Sequence, residues 1–156
     1  GVKSPATDTL RMTCFVNARE QIEPMRVAAS RVFGKAESVF VQSSRFAAGS
    51  AASCEGIARA PSGVSGRVIF TAPQMIFGEQ DSDTQLGWDR LKKSVVLAGG
   101  DADHLLEVNV YTTSGISEKT NAAIKNVSQR NAMVRLFEAL PSEDALMAIE
   151  VVASAK

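Results

Sequence analysis

Apolar and polar residues alternate from Thr9 to Val16 in TLRMTCFV. Leu10, Met12, Cys14 and Val16 fall on one side of an extended chain, which predicts a half-buried strand. The spacing lengthens in EPMRVAASRVFGK, residues 23–35, which predicts a helix with Pro24 in its first turn and Gly34 closing it. SVFVQSSRF, 38–46, returns to strand character, so the first sixty residues make a βαβ-like unit. The Ala, Gly and Ser of AAGSAASCEGIARAPSGVSG, 47–66, predict a connection or boundary, dividing the chain into 1–61 and 62–156.

The second part opens on strand-like runs in RVIFTAPQMIF, 67–77, interrupted by Pro73. Trp88, Leu91 and Val95 share one face of a helix expected over 84–100, which the Gly99–Gly100 pair ends. LLEVNVYTT, 105–113, alternates with Leu106, Val108 and Val110 on one face, and LMAIEVVAS, 146–154, with Met147, Ile149 and Val151. Between these strands, NVSQRNAMVRLFEAL, 126–140, carries Val127, Val134, Phe137 and Leu140 near helical spacing, with Asn131 on the same stripe. The order β-α-β-α-β predicts an α+β arrangement of helices on a mixed sheet.

Composition keeps this picture within ordinary globular limits: 156 residues, 45% apolar and 22% charged. The formal charge is zero, which gives no bulk attraction for nucleic acid or anionic lipid. Eight basic residues face five acidic ones before position 61 and nine face twelve after it, too mild an asymmetry for a charged tail. No run approaches the roughly 18 apolar residues of a membrane span. The polar, Pro-containing start GVKSPATDT suits either a linker behind a removed signal or lipid anchor, or a frayed end.

Candidate chemistry is sparse. His104 is the only histidine, which excludes a two-histidine metal site and leaves any Ser-His-Asp or Cys-His arrangement dependent on a loop residue. Asp81 and Asp83 match the start of a calcium loop but lack the Gly and Glu that should follow, so they read as acids at a helix N-terminus. Glu107 and Glu150 lie on the polar sides of their strands, where they read as solvated charges before they read as an acid–base pair. No motif for a cofactor or metal is present, and the chain reads as non-enzymatic. Cys14 and Cys54 are the only cysteines, and spacing alone leaves them as two buried thiols or one disulfide.

Residues 67–154 resemble the OmpA-like domain, the C-terminal peptidoglycan-binding domain of outer-membrane protein A. LLEVNVYTTSG stands where that family has a strand ending in Gly-His-Thr-Asp, and NAAIKNVSQRNAMV where its long helix carries Leu-Ser-x-x-Arg-Ala. On that register Thr112 matches the Thr, Val127 and Ser128 the Leu-Ser, and Ala132 the Ala, with Gly115 and Asn121 near the loop Gly and Asn. The family's ligand-gripping Asp and Arg fall at Thr113 and Asn131, with Arg130 one residue, or about 100°, around the helix.

The resemblance implies a structural module of a bacterial envelope assembly, such as a secretion or conjugation apparatus, with a degenerate ligand site at Thr112, Thr113, Asn121, Arg130 and Asn131. It further implies a periplasmic location, with or without an outer-membrane tether, subunit partners, and a Cys14–Cys54 disulfide. Peptidoglycan binding through an altered contact set and a small enzyme of unknown reaction are the alternatives.

Overall fold

The computed structural model describes residues 4–43, 49–59, 66–112, 132–142 and 144–155. Its contacts divide the chain into two compact units, Gly1–Ser65 and Gly66–Lys156. Both combine helix with mixed sheet, so the α+β class holds at that level.

In the first unit, α1 (Pro5–Asp8) leads into β1 (Thr9–Val16), a short 3-10 turn (Arg19–Gln21), α2 (Ile22–Val32), β2 (Glu37–Ser43) and β3 (Ala52–Ala58). Strand β1 is central, parallel to β2 with Cys14 opposite Phe40, and antiparallel to β3 with Cys14 opposite Cys54. Its alternation puts Met12 and Cys14 beneath α2, where they meet Ala29 and Phe40 with Ile22, Met25, Phe33 and Ala36 at the margin. Strand β3 falls in the stretch that the sequence predicts as a connection. Gly34 does not close α2 by a left-handed turn. Phe33 caps the helix, and a Cβ at Gly34 would lie 2.8 Å from the Ser30 carbonyl oxygen, so what Gly34 supplies is room for backbone approach.

The second unit runs β4 (Val68–Phe70), β5 (Gln74–Ile76), α3 (Asp81–Leu97), β6 (Gly100–Thr112), β7 (Met133–Leu140) and β8 (Met147–Ala155). Strand β6 pairs with β7 in parallel and with β8 antiparallel, and β4 and β5 both pair with β8. The break around Pro73 is spanned by Thr71: its N–H donates to the Val151 carbonyl at 3.1 Å, and its hydroxyl oxygen accepts from the Val151 N–H at 2.9 Å. A side chain thus continues the ladder where proline cannot donate.

Helix α3 is capped by Gln80 and Asp83, whose carboxylate accepts the Gln80 N–H at 3.1 Å, which places both acids of that turn at the helix start. Trp88, Leu91 and Val95 then pack on Ile69, Ile76, Leu105, Val108, Val110, Ile149 and Val151.

Two sequence expectations fail here. Met133–Leu140 is a strand, with Val134 opposite Val108, so Val134, Phe137 and Leu140 do not form one helical face. The first part of that expected helix, with Val127 and Asn131, lies outside the described residues. Leu106 is 48% exposed while Leu105 is buried in the core. A register shift between Leu105 and Glu107 reverses the alternation at that point.

Candidate functional site

The first unit holds an open cleft of about 470 Å³ lined by residues of α1, β1, α2 and β3. Its origin is arithmetic. One helix about 10 Å across spans two strands spaced about 4.8 Å apart, and α2 lies over Met12, Cys14 and Phe40 of β1 and β2. The β3 side of the same face is left with Cys54 and Gly56 bordering the space opposite Met25, Ala28 and Phe33.

The lining is almost free of charge. Thr9 contributes a hydroxyl that already donates to the Pro5 carbonyl at 2.5 Å. Glu55 borders the cleft, but register pairs it with Thr13, and strand alternation turns that pair to the face away from Cys14 and Cys54. What remains for a ligand is thioether, methyl and aromatic surface with a sulfur at one edge.

Cys14 and Cys54 are joined, with Sγ–Sγ 2.10 Å and Cα–Cα 4.1 Å. The two ends of the bond differ in surroundings: Cys14 is fully buried, whereas Cys54 is exposed on β3.

The second unit carries a buried polar cluster. Glu150 on β8 is 1% exposed; its Oε1 accepts from the Tyr111 hydroxyl at 2.6 Å and from Asn109 Nδ2 at 3.0 Å, both on β6. Tyr111 stacks on Phe137 with centroids 5.0 Å apart, and the Arg135 guanidinium lies 4.8 Å from the same ring while donating to Glu107 at 3.4 Å. This corrects the expectation for the two carboxylates: Glu107 engages Arg135, and Glu150 is not on a solvated face at all. Burial of such a group demands donors, and Tyr111 and Asn109 supply them.

Among the residues predicted from the sequence, Thr112 ends β6 half-buried, with its hydroxyl 3.5 Å from the Leu146 carbonyl. Thr113, Asn121, Arg130 and Asn131 lie outside the described residues, and with them all of the expected ligand site but Thr112. His104 is exposed and reaches Asp101 at 2.9 Å through Nδ1, a pair on the surface of β6. Among the described residues no group of three or more His, Cys, Asp and Glu is placed to hold a metal, and no helix is long and apolar enough to cross a membrane.

Sequence reasoning missed the cleft because it took residues 47–66 as a connection. A cysteine inside ASCEGIA, able to pair with one on β1, was the available signal. It missed the burial of Glu150, although Ile149, Val151 and Val152 around it mark a strand covered on both faces.

No family model matches the chain, and no curated protein does. Among solved structures it is similar to YyfB of Yersinia pestis, described as a protein of unknown function of the conserved Rid family. The two are 19% identical with a TM-score of 0.44, over 60% of this chain and 82% of that one. It is also similar to Escherichia coli TdcF, solved with bound serine, at 19% identity and a TM-score of 0.44 over 63% and 91%. Likeness this distant carries no argument about what the chain does. These proteins are of the Rid type and not OmpA-like domains. The strand at Met133–Leu140, where the OmpA-like register needs its long helix, withdraws that identification and with it the envelope-module function and the peptidoglycan alternative.

Proposed function

We propose that this chain is a binding protein that takes a small, uncharged, largely apolar molecule into the cleft of its first unit. The observation that carries the reading is the cleft itself. Its volume of about 470 Å³ falls within the roughly 300–1,000 Å³ of small-molecule sites, and its walls are Met12, Met25, Phe33 and Pro5. Two methionines suit a site that adapts to its ligand's shape, because an unbranched thioether re-packs at little cost. An anionic ligand would be stripped of water there with no cation among the lining residues, and the one lining carboxylate, Glu55, sits at the alternate position of β3 to Cys54 and Gly56. The Cys14–Cys54 bond supports an oxidising compartment as the protein's working place.

The test is a titration with N-phenyl-1-naphthylamine, a neutral apolar fluorophore. Wild-type protein should give saturable one-to-one enhancement. Ala28→Trp, at an exposed helix position on the cleft wall, should weaken it by about tenfold or more, the equivalent of 1.4 kcal/mol. Non-saturable fluorescence, or equal affinity in the folded Trp variant, overturns the reading.

A further inference from the structure

The asymmetry of the disulfide has chemical consequences, independent of which molecule the cleft binds. We propose that Cys54 is a site of thiol–disulfide exchange, at which a low-molecular-weight thiol enters the cleft and is captured as a mixed disulfide on the Cys54 sulfur. Exchange requires a thiolate to reach one of the two sulfurs, and the sulfur it reaches keeps the incoming group. Cys14 is fully buried between β1, α2 and β2, in contact with Met12, Ala29 and Phe40. Cys54 is exposed, sits on β3, which pairs with β1 along one side, and borders the cleft. Access therefore selects the bond-forming atom before any difference in sulfur chemistry does.

The step balances simply. The thiolate attacks Cys54 Sγ, a new S–S bond forms there, the Cys14–Cys54 bond breaks, and the electron pair leaves on Cys14 Sγ, which takes a proton from solvent. The incoming thiol is oxidised to the level of the mixed disulfide and Cys14 is reduced; a second equivalent of thiol would release the adduct and leave two thiols.

Burial disfavours the Cys14 thiolate as a leaving group, which makes the exchange slow. The same burial protects the Cys14 thiol from competing oxidants and alkylators once it has formed. Gly56, two residues along β3, also borders the cleft, and a Cβ there would meet the Arg11 carbonyl oxygen at 3.3 Å and Thr9 Cγ2 at 3.6 Å. The captured group would occupy part of the volume proposed for the ligand, so adduct formation and ligand binding should exclude each other.

Native wild-type protein is incubated with 2-mercaptoethanol over a range of concentrations, quenched in acid and mapped by peptide mass spectrometry. The expected result is a single adduct on the Cys54 peptide, at least tenfold more abundant than any on the Cys14 peptide, with saturating N-phenyl-1-naphthylamine slowing its appearance. Slowing by the fluorophore is read only if the fluorophore binds, so failure of the ligand reading leaves the site assignment intact. Equal labelling of both peptides, adduct on Cys14, or adduct appearing only after denaturation overturns the proposal.

Discussion

The two units of this chain solve the same problem, holding a mixed sheet against a helix, with different means. In the second, thirteen buried apolar residues among those described form one core around Trp88, Leu91 and Val95, and the opposite side of the strands buries Glu150 with its own donors. In the first, the buried core under α2 is Met12, Cys14, Ala29 and Phe40 among the described residues, and a covalent bond ties β3 to β1. A unit of about sixty residues is marginal on packing alone, and a cross-link adds to it. The difference teaches where binding can be accommodated. A sheet whose edge strand is held by a bond tolerates a cleft beside it.

The sharpest way to break this contrast is to remove one support from each unit and ask whether the damage stays local. Leu91→Ala deletes a fully buried side chain at the centre of the second core and should cost about 3–5 kcal/mol, with loss of amide protection in β6 and β8 by hydrogen exchange. Replacing both Cys14 and Cys54 by Ala should cost about 4 kcal/mol in the chain-entropy account, for a bond that spans 40 residues of sequence, with protection lost first in β1 and β3. If either change erodes both units equally, they unfold as one, and the comparison between them has no energetic content.

The same contrast explains what the sequence showed. The strand at Thr9–Val16 and the helix face of Trp88, Leu91 and Val95 were legible, because periodicity records burial, but the strand's expected polar face was not, since Arg11 and Thr13 are buried too. Strand β3 was not: its residues are half-buried or exposed, so ASCEGIA carries no alternation to read. The opposite error occurred at Met133–Leu140. Met, Arg, Leu, Glu and Ala are strong helix formers, and Val134, Phe137 and Leu140 fall near helical spacing, but pairing along the full length of Glu107–Thr112 overrides that local preference. The resemblance to an OmpA-like domain grew from that misread segment. Of the candidate site, the cysteines were named and left open, while the cleft depends on β3 and was invisible without it.

A smaller effect sharpens the account of the buried carboxylate. Tyr111→Phe keeps the ring against Phe137 but removes the hydroxyl that donates to Glu150 Oε1 at 2.6 Å. A hydrogen bond to a carboxylate is worth about 1.5–3 kcal/mol, and the loss should appear as a lower urea midpoint with an unchanged slope. Because the group lies in the second unit, probe binding at the first-unit cleft should not move. A drop in probe affinity together with the stability loss would mean that the cleft responds to the second unit's polar cluster.

The smallest expected effect is also the most even-handed, because it applies the same insult to both units. Gly49 and Gly99 each have φ of +82°, and a Cβ built on either meets nothing within 4 Å. Changing each to Ala therefore introduces no clash and costs only the left-handed backbone conformation, about 1–2 kcal/mol. Gly99 lies just past the end of α3, in a unit with a large core, and Gly49 lies shortly before β3, the strand that borders the cleft. If local strain is all that matters, the two losses will agree within a few tenths of a kcal/mol. The disulfide adds a stricter test: it limits how far β3 can move from β1, so Gly49→Ala should leave protection in β1 intact while the bond is closed. After reduction the same change should extend into β1. Gly99→Ala should show no such dependence on reductant. A reductant-independent Gly49→Ala would show that the bond between Cys14 and Cys54 does not hold the cleft-bearing edge in place.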